Sequence, residues 1–222
     1  MPQDQWIAID RYLTDALLPP DEALEAALAA SDAGGLPAIA VAPNQGRMLE
    51  LFARSIGARR ILEIGTLGGY STIWLGRALP SDGRLISLEF DPHHAEVARN
   101  NILHAGLADR VEVRVGRAVD NLPGLEAEGA GPFDMVFIDA DKPSNPDYFA
   151  WAMKLTRPGS LIIVDNVVRA GAVANAASSD PNVLGVRKMN EMIAAEPRVL
   201  ATAVQTVGSK GHDGFAMILV TG

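Results

Sequence analysis

From about residue 60 onward, short apolar runs alternate with longer amphipathic stretches. The runs Arg60–Ile64, Arg84–Phe90, Val111–Val115, Met135–Ile138 and Ser160–Val164 predict five strands. An unbroken apolar run such as Met135-Val136-Phe137-Ile138 suits a strand covered on both faces, as in a parallel sheet. Between the runs lie helical patterns. One follows a glycine turn and reaches about Leu79. The next opens at Asp91-Pro92, with Asp as cap and Pro in the first turn, and carries Ala95, Ala98, Ile102 and Ala105 on one face. Ala118–Glu128 is a third, and Asn145-Pro146 opens a fourth that runs to about Thr156. Arg169–Asn182 is rich in Ala, Gly and Ser and reads as a loop before a helix over Val183–Ala195. Upstream, Gln3–Leu18, Pro20–Ala30 and Pro43–Ile56 read as helices. The last two strands, Arg198–Thr206 and Phe215–Val220, have about eight residues between them. That is too short for a parallel crossover and predicts an antiparallel hairpin at a sheet edge. The expected fold is α/β, a doubly wound, mostly parallel sheet with an antiparallel C-terminal hairpin. One domain over 1–222 is expected, with residues 1–40 as a helical extension and 41–222 as the core.

Composition narrows the chemistry. Hydrophobic residues make up 48% of the 222 and charged residues 21%, the balance of a soluble globular chain. With no cysteine, disulfides, thiolate catalysis and zinc–thiolate sites are excluded. A net charge of −8 without a basic tract argues against nucleic-acid binding. The first fifteen residues lack a basic segment followed by a long apolar core, and no apolar run reaches membrane-spanning length. A cytoplasmic protein with no membrane partner is therefore the expectation.

The run FDMVFIDADK (Phe133–Lys142) ends abruptly in acid, and LIIVDN (Leu161–Asn166) repeats the pattern. Ligands of open α/β sheets bind just beyond the carboxyl ends of the strands. Neighbouring parallel strands ending this way would bring together Asp139, Asp165 and Asn166. Two carboxylates and an amide oxygen form a set for a hard cation. Taken alone, Asp165-Asn166 reads as a helix cap; the partner Asp139 reverses that. The glycine turn from Gly65 to Gly69 is spaced G-x-x-G-G, so the dinucleotide fingerprint G-x-G-x-x-G is absent. Glu63 just before it suits a ligand with an amino group or a positive charge rather than a pyrophosphate. Glu89 ends the second strand 24 residues beyond Gly65, where a carboxylate can accept both hydroxyls of a ribose. On these residues alone, a nucleotide-cofactor oxidoreductase and a non-catalytic cofactor-binding protein are open readings.

ILEIGTLGGYS, ISLEFDP, FDMVFIDADK and LIIVDN, in this order and at these distances, resemble the cation-dependent O-methyltransferases of the catechol and caffeoyl-coenzyme-A type. The likeness covers about Val41 to Val220, and the DADK and DN pair 26 residues apart is its most specific part. The resemblance implies a Rossmann-like methyltransferase sheet, S-adenosylmethionine as methyl donor and a small phenolic acceptor. It implies that Asp139, Asp165 and Asn166 ligate magnesium or a similar cation. Glu63, Gly65, Thr66 and Ser71 then line the methionine part of the cofactor, Glu89 holds its ribose, Val41 packs near it and Ala118 sits at the adenine edge. Asp139 also touches the cofactor side, and Lys142 matches the lysine taken as general base. A homodimer is implied as well.

Two departures fall where acceptor preference would be set. Many relatives carry tyrosine three residues after the lysine, where this chain has Asn145. The stretch Gly208–Gly214 replaces a compact Gly-Asp-Gly with what reads as a longer loop. Asp141 is expected to support the loop or Lys142. His93, His94 and His104 read as surface residues and His212 as a loop histidine, while Trp74 and Trp151 read as packing.

Overall fold

The computed structural model describes residues 2–222. The chain forms two compact units. Helix α1 (Pro2–Leu17) leads the chain.

The unit Asp10–Asn121 contains α2 (Glu22–Ala33), α3 (Pro43–Ser55), β1 (Arg60–Ile64), α4 (Tyr70–Ala78), β2 (Arg84–Glu89), α5 (Pro92–His104) and β3 (Val111–Val115). Its strands pair in the order β3-β2-β1, all parallel. The register sets Ile64 beside Leu88 and Glu89 beside Val115, so the loops after all three strands leave from the same end. Ile61, Leu62 and Ile64 are fully buried, as are Ile73 and Leu75 of α4. Helix α2 starts at Glu22 rather than Pro20, because Asp21 caps it by accepting the Leu24 N–H at 3.1 Å. The Arg77 guanidinium pairs with Asp21 and holds its carboxyl below the usual range.

Helix α6 (Ala118–Ala127) leads on to the other unit, which comprises residues up to Ile9 and Leu122–Gly222. Here β4 (Phe133–Ile138), α7 (Asn145–Leu155), β5 (Thr156–Asp165), α8 (Pro181–Ala195), β6 (Val199–Gly208) and β7 (Gly211–Val220) follow in turn. The strand order is β4-β5-β7-β6. Strands β4 and β5 are parallel, β7 runs antiparallel to β5, and β6 antiparallel to β7. The expected antiparallel C-terminal hairpin is thus present, but its form differs. Residues 211–214 belong to β7, pair with 205–208 of β6, and leave only Ser209-Lys210 as the turn. Glycine-rich composition suggests a loop here, whereas the ladder runs through these residues with Gly211 at φ 95°. Strand β5 also starts earlier than expected. Arg157-Pro158-Gly159 is absorbed as an irregularity where the register shifts between Phe133 and Met135. Ser160 Oγ makes that possible, donating to Phe133 O at 2.7 Å and accepting the Arg157 N–H at 3.1 Å.

Met135, Val136, Phe137 and Ile138 are all fully buried, as are Ile162 and Val164 beside them. Burying each such side chain contributes about 1.5–3 kcal/mol. Among the described residues, no helix is long and apolar enough to cross a membrane. Because Phe137 fills the centre of this layer, Phe137→Ala is expected to cost about 3–5 kcal/mol in urea unfolding. A loss under about 1 kcal/mol would show that the layer collapses around the cavity.

Candidate functional site

In the unit Asp10–Asn121 the polar groups gather at the carboxyl ends of β1 and β2. Glu63, one residue before the end of β1, is fully buried. It accepts hydroxyl hydrogen bonds from Ser71 and Ser87, both at 2.6 Å, and from Thr72 at 2.5 Å. Ser87 reaches it because Glu63 and Ser87 are register partners. The turn that follows is forced into left-handed backbone three times, at Gly65 (φ 101°), Leu67 (φ 50°) and Gly69 (φ 83°). For Leu67 this is a costly conformation that surrounding structure must impose. Glu89 imposes it. Its Oε2 accepts the N–H groups of Thr66 at 3.1 Å and Leu67 at 2.7 Å, while Oε1 accepts that of Asp91 at 3.0 Å. His94 Nδ1 lies 3.6 Å from the same Oε1. The Gly116 N–H donates to Glu89 O at 2.8 Å, bringing the loop that leads to Ala118 beside Glu89. Asp91 caps α5 through the N–H groups of His93 and His94, and these hold its carboxyl below the ordinary value. Thr66, Ser71, Val41 and Ala118 are all buried, with only slivers of surface. Tyr70 packs edge-on against Trp74 at 6.4 Å, and burial raises its phenol pKa.

In the unit containing Leu122–Gly222, Ile138 and Val164 are register partners on adjacent parallel strands. Asp139 and Asp165 each come one residue later, so both acids stand at the same end of neighbouring strands. Asp165 is buried, and its Oδ1 accepts the Asn166 N–H at 2.9 Å. Lys142, also buried, donates from Nζ to Asp139 Oδ1 at 2.8 Å. Asp141 turns away, accepting hydroxyls from Ser144 and Tyr148, both at 2.5 Å, so it braces the loop. The Lys142 turn is backed by α8. A Cβ built on Gly185 would stand 2.1 Å from Lys142 O and 2.8 Å from Pro143 Cα, so only glycine lets the helix lie against this backbone. Asn145 is fully buried with neither amide atom hydrogen-bonded.

Among the described residues, no three His, Cys, Asp or Glu side chains form a metal-binding group. The set Asp139, Asp165, Asn166 contains only two such side chains and a neutral amide. Its all-oxygen donors fit Mg2+ or a similar hard ion by chemistry.

Several of the remaining candidates have structural partners. His93 Nε2 meets Gly34 O at 2.8 Å, and His212 Nε2 meets Gln205 Oε1 at 3.1 Å. Lys154 Nζ lies 4.3 Å above the Trp151 ring, and Arg47 stacks at 4.8 Å on buried Trp74. Sequence reasoning missed Ser87, Thr72, Gly185 and Asp213. Only Ser87 carried a signal, as a lone hydroxyl inside the apolar run of β2.

Removing Glu63 would leave three buried hydroxyls without their carboxylate acceptor. Glu63→Leu is expected to lower the unfolding free energy by about 3–5 kcal/mol in chemical denaturation. A loss below about 1 kcal/mol would mean the hydroxyls find other acceptors.

Known proteins match this chain at high similarity. The O-methyltransferase family model matches residues 22–218. A catechol O-methyltransferase of Niastella koreensis is 53% identical over 213 residues, 96% of each chain. The O-methyltransferase from Bacillus cereus, solved in complex with SAH, superposes with a TM-score of 0.98 at 57% identity, over 99% of this chain and 100% of that one. TomG of Streptomyces achromogenes, an O-methyltransferase involved in tomaymycin synthesis and solved with SAM, gives 0.97 at 52% identity over all of both chains.

Proposed function

The chain belongs to the O-methyltransferase family and is an S-adenosylmethionine-dependent O-methyltransferase, and we propose that its acceptor is a small catechol methylated with the help of a divalent cation. The observation that carries this reading is the placement of Asp139 and Asp165 directly beyond paired residues of β4 and β5, with Lys142 held on Asp139. The nucleotide-cofactor oxidoreductase gains nothing from the family match.

In this reading Asp139, Asp165 and Asn166 hold the cation, Mg2+ or another oxygen-liganded ion. A phenol is mostly neutral at pH 7, with a pKa near 10, and a bound divalent ion stabilises its phenolate. The donor set has the right charge: two carboxylates offset a doubly charged ion and Asn166 adds none, so no excess anion repels the phenolate. Lys142 assists removal of the acceptor proton. Its low exposure and its bond to Asp139 keep the side chain in one place. The acceptor oxygen then forms a bond to the methyl carbon as the carbon–sulfur bond breaks, leaving S-adenosylhomocysteine.

Glu63, Gly65, Thr66 and Ser71 serve the methionine end of the donor, Glu89 its ribose, and Val41 and Ala118 the flanks. What supports Glu89 in that role is its fixed carboxylate at the strand end. The 222 residues act as one catalytic domain with residues 1–40 appended, in a cytoplasmic homodimer.

The test is turnover of S-adenosylmethionine with a simple catechol such as caffeic acid, with Mg2+ and then with excess EDTA. Methylated product that appears only with metal, and is absent in Asp165→Ala, is expected. Methylation undiminished by EDTA would sink the metal part of the proposal. Lys142→Met should lower kcat by about 100-fold or more with S-adenosylhomocysteine affinity unchanged; a variant with normal kcat would remove Lys142 from the mechanism.

A further inference from the structure

Four non-glycine residues among those described have left-handed backbone, and three of them lie just after β5: Asn166 (φ 58°), Arg169 (φ 55°) and Ala170 (φ 53°). Such a concentration persists only where neighbouring structure dictates the conformation. Here the dictating groups come from β7. The Val167 N–H donates to Gly214 O at 3.0 Å. The next two N–H groups, of Val168 and Arg169, both donate to Asp213 Oδ1 at 2.9 Å. Three consecutive amides after Asn166 are thus gripped by two consecutive residues of one strand. The grip is itself rigid. Asp213 pairs with Thr206 and Gly214 with Gln205 in the β6–β7 ladder. A Cβ on Gly214 would lie 2.2 Å from Val204 O and 2.8 Å from Val168 Cγ2, so the strand passes as close as backbone allows.

We propose that Asp213 is a positioning residue for the cation site: its Oδ1 clamps the chain after Asn166 and so fixes the direction of the Asn166 side chain. This rests on the reading of Asp139, Asp165 and Asn166 as cation ligands. The clamp works through acceptor geometry, since one oxygen takes both N–H groups, while the Arg169 guanidinium stands 4.0 Å from the other. Groups that orient metal ligands typically change metal affinity by about 10–100-fold when lost.

The test is Mn2+ binding to the full-length protein, followed by electron paramagnetic resonance, with S-adenosylhomocysteine binding and thermal unfolding measured in parallel. Wild type is expected to bind Mn2+ and Asp165→Ala to lose it. Asp213→Ala should weaken Mn2+ by about 10-fold or more with S-adenosylhomocysteine affinity retained. Asp213→Asn, which keeps an oxygen acceptor without the charge, should stay within about threefold of wild type. If Asp213→Ala does not fold, Asp213→Glu is read instead; it keeps the charge, displaces the acceptor, and carries the same expected loss. Wild-type Mn2+ affinity in the Ala or Glu variant overturns the proposal, as does an Asn variant as weak as either. No Mn2+ binding by wild type overturns the cation reading itself, and the clamp with it.

Discussion

The placement of Asp139 and Asp165 depends on the parallel pairing of β4 with β5. Parallel neighbours end at the same edge, so their terminal residues meet without any loop having to bring them there. The register Ile138↔Val164 is locked because both strands are apolar on both faces. A slip of one residue would change which side chains of each strand face which layer. The acids are therefore placed by hydrophobic packing.

Carboxylates shape two of the loops in this fold. Glu89 imposes the shape of the glycine turn by accepting the Thr66 and Leu67 amides, and its other oxygen accepts that of Asp91. Asp213 accepts two amides and shapes the turn after β5. In each case a charged acceptor from a neighbouring strand satisfies N–H groups of a loop that cannot form regular hydrogen bonds. Loops built this way are held in their working conformation before any ligand arrives, which reduces the ordering cost of binding.

Much of this was legible in the sequence because it follows from local pattern. The apolar runs, the caps at Asp91 and the acids at strand ends are near-neighbour features. What stayed hidden depends on partners distant in sequence. Ser87 and Thr72 matter only because the fold sets both against Glu63. The segment 208–214 reads as a loop because glycines usually mark one, yet here a β-ladder runs through it, and Gly214 lets the strand pass close to Val204. Asp213 sits 47 positions from Asn166 and acts through backbone amides, which leave no trace in residue type. The Pro158-Gly159 pair reads as a turn, and only Ser160 bonding to β4 reveals it as part of a strand.

Gly185 carries a consequence of a different kind. It touches no reacting group, and its role is to have no side chain where α8 crosses the Lys142 turn. Every other amino acid has at least a Cβ, so the position offers no conservative replacement, and similarity of size or polarity gives no protection. Its nearest obstacles are backbone atoms, which cannot rotate out of the way as a side chain would. Mutational tolerance in this chain is thus not a map of distance from the chemistry. A helix crossing one layer behind the site narrows the accessible sequences at residue 185 to a single letter.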